Sequence, residues 1–294
     1  MTTAPWSSFQ LDQSMAFPVS GTYGSGFGQW ELSEDGTLTL DTKYEYDHNI
    51  PDYVNITNQP WYLYRDFIRK VVLSENIKGV GKNAFAFAET GKSSIHSVEA
   101  PAVTAIGENA FKNNDALISF NGEYVKTIGN EAFAGCAALK DVNFGDKLTS
   151  LGSRVFDGCP VVANFAVDAI TPPSVNSQTF VGMGASASNA PGRGAKASGS
   201  GQQSVTLSVP EEATVNYLAA PYWNLFSMEF IEGHGAIVKS GAYYDGAWVL
   251  YSDGTLIASS QTTNGSIDVA TVYNDATVTR VEFLGGANEV KSTF

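Results

Sequence analysis

The sequence predicts a β-rich solenoid of about four to five short repeats flanked by small β-hairpin modules. The first observation behind this is a recurring phrase. It reads Gly81-Lys82-Asn83-Ala84-Phe85, Gly107-Glu108-Asn109-Ala110-Phe111, Gly129-Asn130-Glu131-Ala132-Phe133 and Gly152-Ser153-Arg154-Val155-Phe156. In each copy Phe follows Gly by four residues, and an aliphatic residue (Val80, Ile106, Ile128 or Leu151) precedes the Gly. The second is the spacing: successive glycines stand 26, 22 and 23 residues apart. A period in the twenties marks a solenoid, whose units bury their apolar faces only against their neighbours. The third is a pair of flanking phrases, Trp-x-Leu-x-x-Asp-Gly-Thr-Leu, at residues 30–38 and again at 248–256. Apolar residues alternating on both sides of Asp-Gly signal a hairpin, with Asp-Gly suited to positive φ.

Taken in order, the chain divides into five parts. Residues 1–67 form an N-terminal β module or cap. It holds the first hairpin, an acidic turn-rich stretch, and a short helical turn at 61–67 leading into the repeats. Residues 68–181 are the solenoid. Each unit opens on a strand phrase: Ile68, Val71 and Leu73, then Ile95, Val98 and Ala100, then Leu117 and Phe120, then Leu139, Val142 and Phe144. Stacked coils gather these phrases into one parallel sheet and Phe85, Phe111, Phe133 and Phe156 into one internal column. Each buried Phe contributes about 1.5–3 kcal/mol, and its truncation to Ala costs about 3–5 kcal/mol. After Val161 the pattern decays, and Pro172-Pro173 is expected to break the coil before Thr179-Phe180 echoes the phrase once more. Residues 182–204 are a Gly/Ala/Ser-rich insert of linker composition. Residues 205–232 read as a strand, a short helix ended by Pro221 and an aromatic stretch, which together cap the solenoid. Residues 233–294 form the second β module, where residues 278–283 resemble residues 68–73.

Composition bounds the function. The 294 residues carry a formal charge of −13, with 43% apolar and 16% charged residues. The chain is globular, and its charge argues against nucleic acid or an anionic membrane surface as partner. No apolar run approaches the roughly 18 residues of a membrane-spanning helix. The opening residues, from Met1 to Trp6, lack the basic and apolar regions of a signal peptide.

At the phrases of residues 128–136 (Ile/Val-Gly-x-x-Ala-Phe-x-x-Cys), 30–38, 60–64 and 205–223, the chain resembles the BspA-type leucine-rich repeat proteins of bacterial surfaces. The resemblance spans roughly residues 22–232 and the second hairpin. It implies a right-handed leucine-rich-repeat solenoid, a cell-surface or extracellular setting, and a role in adhesion or matrix binding. It implies no catalytic residues.

The residues themselves show no catalytic motif. The chain has three histidines and neither a nucleophile elbow, a phosphate-binding loop nor a His-Glu-x-x-His phrase. No cofactor and no metal site is expected. The densest polar stretch holds Asp41, Glu45, Asp47, His48 and Asp52 among Tyr44, Tyr46 and Tyr53. Such carboxylates could hold calcium or, with the tyrosines, line a sugar-binding surface; the plainer reading is a solvated acidic loop. Cys136 and Cys159 each follow a repeat Phe by three residues. Adjacent coils put them within disulfide reach, but two small buried thiols are the favoured reading.

The sequence therefore points to a non-enzymatic recognition module that binds a protein or glycan through its solenoid face. The outward members of the strand phrases are the candidate contacts: Arg69, Lys70, His96, Glu99, Ser119, Lys140, Asp141 and Asn143. The alternative is a structural component of a large assembly, a virion or surface appendage. Such a component would contact neighbouring chains, as a homo-oligomer or with other members of the assembly, through the C-terminal module and the 182–204 insert.

Overall fold

The computed structural model describes residues 17–42, 48–184, 205–210, 213–223, 226–228, 237–243, 246–268 and 278–291. The insert expected at 182–204 falls almost wholly outside them. The chain opens with β1 (Val19–Tyr23), β2 (Gly28–Leu32) and β3 (Thr37–Thr42). β1 and β2, then β2 and β3, pair antiparallel, so β1 runs parallel to β3. The expected hairpin is β2–β3. Only Gly36 of its turn takes positive φ, at 86°. The Gly36 amide donates to the Ser33 carbonyl, and the Asp35 carboxylate accepts from the Ser33 hydroxyl and the Thr37 amide. Those two donors hold the Asp35 carboxyl below its ordinary range.

Coils follow. β4 (His48–Ile50) starts a second sheet, and a 3-10 turn over Tyr62–Phe67 leads to β5 (Lys70–Leu73) and β6 (Ile77–Val80). The next coils carry β7 (Ser97–Glu99) and β8 (Ala105–Ile106), β9 (Ser119–Gly122) and β10 (Thr127–Ile128), and β11 (Asp141–Phe144) and β12 (Ser150–Leu151). β13 (Asn164–Val167), β14 (Thr206–Ser208), helix α1 (Thr214–Ala219) and β15 (Ser227–Met228) close the solenoid.

The odd-numbered strands stack in parallel as one column: β3–β5–β7, then β9–β11–β13, which continues through β14 to β15. The two runs meet where the Ile118 amide donates to the His96 carbonyl at 3.2 Å. β4, β6, β8, β10 and β12 form the second column. A third set of inter-coil hydrogen bonds links the glycine–phenylalanine phrases, from the Phe85 amide to the Ala110 carbonyl and from Phe111 to Ala132, each 2.8 Å. Every side of the coil thus hands its backbone groups to a neighbouring coil, which is how a chain with so little regular helix satisfies them.

The core is an aromatic stack. Neighbouring rings run Trp61–Phe85 at 5.3 Å, Phe85–Phe111 at 5.4 Å, Phe111–Phe133 at 5.4 Å and Phe133–Phe156 at 5.8 Å, with interplanar angles of 10–19°. Trp61, expected only in a connecting turn, is the first member of the column and is 1% exposed. At the far end Phe165 stacks on Trp223 at 5.9 Å, while Phe180 meets Phe165, Trp223 and Phe226 edge-on. Trp223 donates its indole N–H to the Pro173 carbonyl and Tyr217 its hydroxyl to the Ala169 carbonyl, both at 2.9 Å. These two bonds fasten the aromatic stretch to the last coil.

The coil does not break at Pro172-Pro173. Ser174 donates to Thr149 and accepts from Leu151, so the second ladder runs past the prolines. Phe180 and Thr179 are buried. Two prolines are tolerated there because the ladder is carried by Ser174, which keeps its N–H. The repeat count is accordingly higher than four to five, at about seven turns.

The second module copies the first. β16 (Ile237–Tyr243), β17 (Gly246–Tyr251), β18 (Thr255–Asp268) and β19 (Arg280–Lys291) form one sheet in that order. Gly241 stands opposite Trp248 as Gly21 stands opposite Trp30, and Thr255 opposite Arg280 as Thr37 opposite Lys70. Gly254 takes φ 87° and its carbonyl accepts from Thr279 and Arg280, as that of Gly36 accepts from Arg69 and Lys70. β16 to β19 thus repeat β1, β2, β3 and β5 in topology and register.

The repeated glycine has a packing reason. At Gly107, Gly129 and Gly152 a Cβ would lie 2.7, 2.5 and 2.7 Å from the backbone nitrogen of Lys82, Glu108 and Asn130 in the preceding coil. None of the three is among the positive-φ glycines, so it is the closeness of the coils that excludes a side chain. Gly129→Ala is expected to lower stability by about 1–3 kcal/mol through overpacking, read as a reduced midpoint in denaturant titration. An unchanged midpoint would show that the coils can part at no cost.

Candidate binding surface

The strand column alternates in burial because side chains point to opposite faces every second residue. Val71, Val98, Phe120, Val142 and Phe165 point inward and are buried. Three rows face out. The first is Arg69, His96, Ile118 and Lys140, linked in order by backbone hydrogen bonds of 2.8–3.2 Å; Ala163, next in the ladder, is buried. The second runs Thr37, Lys70 and Ser97, then Ser119, Asp141, Asn164 and Thr206. The third runs Thr39, Val72 and Glu99, then Asn121, Asn143, Ala166 and Ser208.

All eight residues singled out from the sequence stand in these rows. Arg69, His96, Glu99, Ser119, Lys140 and Asn143 are exposed, and Lys70 and Asp141 partly so. The fold brings Lys70 and Glu99 into an ion pair, Nζ to Oε1 at 2.5 Å, and Asn164 donates to Asp141 at 2.5 Å. Both ends of the ion pair are well solvated, so it orients two side chains more than it stabilises the fold. Ile118 was missed: it is 49% exposed, between His96 and Lys140. Its place just before Ser119 matches that of His96 and Lys140 before their strands, so the signal was present.

At the N-terminal end the same face continues onto β1–β2–β3. There Ser20, Glu31 and Thr39 make one cross-strand row and Thr22, Gln29 and Asp41 the next. These six line an open cleft of about 460 Å³ with Gly21 and Trp30. Thr39 joins it to the solenoid through Val72 and Glu99. Its side chains offer four neutral hydrogen-bonding groups, two carboxylates and no cation.

Other candidates resolve differently. Glu45 and Asp47, with Tyr44 and Tyr46, lie outside the described residues. The Asp52 carboxylate accepts the Lys82 amide at 2.6 Å, and Asp41 accepts the Thr42 amide at 2.7 Å. Among the described residues no group of three or more His, Cys, Asp or Glu is placed to hold a metal. Cys136 and Cys159 are free and buried, their thiols donating to the carbonyls of Phe111 and Phe133. Burial, with Cys159 alongside, pushes the Cys136 thiol up. Asn114, at the same offset in the preceding coil, does the equivalent work with its amide on Phe85 and Phe111. The position therefore wants a small buried donor.

Residues 55–182 match the BspA type Leucine rich repeat region in six copies. Similar solved structures include a leucine-rich repeat protein from Eubacterium ventriosum, 23% identical over 51% of this chain and 44% of that one, with TM-score 0.39. A leucine-rich repeat protein from Bacteroides ovatus is 30% identical over 34% of this chain and 25% of that one, with TM-score 0.31. A leucine rich cell surface protein from Faecalibacterium prausnitzii is 16% identical over 94% of this chain and 77% of that one, with TM-score 0.39. The chain thus spans less than half the length of the first two. No curated protein matches it. No helix among the described residues is long and apolar enough to cross a membrane.

Because both thiols are buried and out of reach of the reagent, both cysteines are expected to alkylate at least about a hundredfold more slowly in the native chain than in denaturant. Mass spectrometry after timed iodoacetamide quenching reads this. Comparable native and denatured rates would contradict the burial of the two thiols.

Proposed function

We propose that the chain is a non-enzymatic recognition module of the bacterial cell surface, which binds a partner protein through the outward rows of its strand column. The observation that carries the reading is the coalescence of the three rows. Arg69, Lys70, His96, Glu99, Ser119, Lys140, Asp141 and Asn143 share one solvent-facing surface, continuous with the N-terminal cleft. The surface is polar and mixed in charge, with Ile118 as its apolar centre. That composition suits a wet, hydrogen-bonded protein interface with a small anchoring core. Rigid coils hold the rows in place without ordering cost on binding.

Two variants test this in direct binding assays against surface and matrix proteins, with a glycan panel in parallel. A cluster variant, Lys70→Ala with Glu99→Ala, Ser119→Ala and Asn143→Ala, and the single change Ile118→Asp should each weaken binding at least about tenfold, or 1.4 kcal/mol. Both should melt as the parent does, since every altered side chain is solvated. Undiminished binding by both variants would place the interface elsewhere. Binding to the glycan panel alone would replace the protein partner with a carbohydrate.

A further inference from the structure

We propose that copies of this chain associate head to tail, the free edge of β19 pairing in parallel with the free edge of β1 in a second copy. The inference stands apart from ligand recognition and begins with the duplicated module. In the first copy β5 has β3 on one side and β7 on the other, β7 pairing in parallel with Lys70 opposite Ser97 and Val71 opposite Val98. In the second copy β19 has β18 on one side, and among the described residues no strand pairs with its other edge. The side chains record the difference. Val71 is 0% exposed, whereas Val281, its counterpart opposite Leu256, is 38% exposed. The second module has the geometry to receive a parallel strand and carries apolar surface that such a strand would cover.

The occupant is argued from polarity. Of the solenoid strands that end a sheet, β7 and β9 adjoin each other through the His96–Ile118 bond, and β4, β12 and β15 are only two or three residues long, against five for β1. β1 pairs only with β2 among the described residues, and it runs parallel to β3 and β5. β1 lies at the leading end of its sheet as β19 lies at the trailing end of its own. Joining them continues one twisted sheet from copy to copy, with Val19 and Tyr23 on the same inward face as Val281. β1 alternates in burial as such a strand requires. Because the two joined surfaces differ, the contact is heterologous and propagates as an open chain of copies.

Sedimentation of the full chain and two edge variants decides it. Val281→Lys blocks β19 and Val19→Lys blocks β1; Ser20→Pro replaces the latter if Val19→Lys fails to melt cooperatively. The parent should grow in mass without limit as concentration rises. Each variant alone should stay monomeric, and an equal mixture of the two should stop at a dimer. A parent that remains monomeric at every concentration overturns the proposal. So does association that persists in either variant alone, which would mean a symmetric contact or a different surface.

Discussion

The coil spacing is set by aromatic rings in contact. Trp61, Phe85, Phe111, Phe133 and Phe156 repeat at 5.3–5.8 Å and nearly parallel. Rings that close cannot be separated without opening a void, which a packed interior tolerates poorly. On the outside of the same turn, glycine lets the coils approach until a methyl group would meet the backbone of the coil before. The residue two after each glycine meets the matching demand, a left-handed conformation at Asn83, Asn109, Glu131 and Arg154, with φ of 54–56°. Asn suits that region and Glu and Arg do not, so the later coils accept local strain to keep the ring stack in step.

From this spacing the outer surface follows. Once the phenylalanines fix the pitch, the strand phrases stack at the same interval and their outward residues line up in rows. Lys70 meets Glu99 and Asp141 meets Asn164 only because those rows are in register. The interior is apolar and repetitive, while the surface varies from coil to coil. This division lets a solenoid change its contacts without disturbing its fold.

Much of this was legible in the sequence because it is periodic. The four glycine–phenylalanine phrases, both hairpins and the outward strand residues fall at fixed offsets that need no three-dimensional information. What escaped was whatever departs from the phrase while keeping its role. Trp61 fills a Phe position without the preceding glycine. The last coil passes through Pro172-Pro173 because Ser174, rather than a proline, carries the ladder bond. Ile118 was overlooked because an exposed apolar residue breaks the expected polar face. The Lys70–Glu99 pair joins positions far apart in sequence, and only the strand register shows it. The second module betrayed its hairpin, but its full correspondence with β1, β2, β3 and β5 rests on pairings that two short sequence matches do not contain.

The central claim is that neighbouring rings of the column support one another directly, and a double-mutant cycle tests it. Leucine replacements at Phe111 and Phe133, singly and together, should show a coupling of about 0.5–1.5 kcal/mol in equilibrium unfolding, as stacked aromatic pairs do. The same cycle at Phe85 and Phe156, which do not touch, should be additive within about 0.5 kcal/mol. Equal coupling for both pairs, or none for the adjacent pair, would contradict the account.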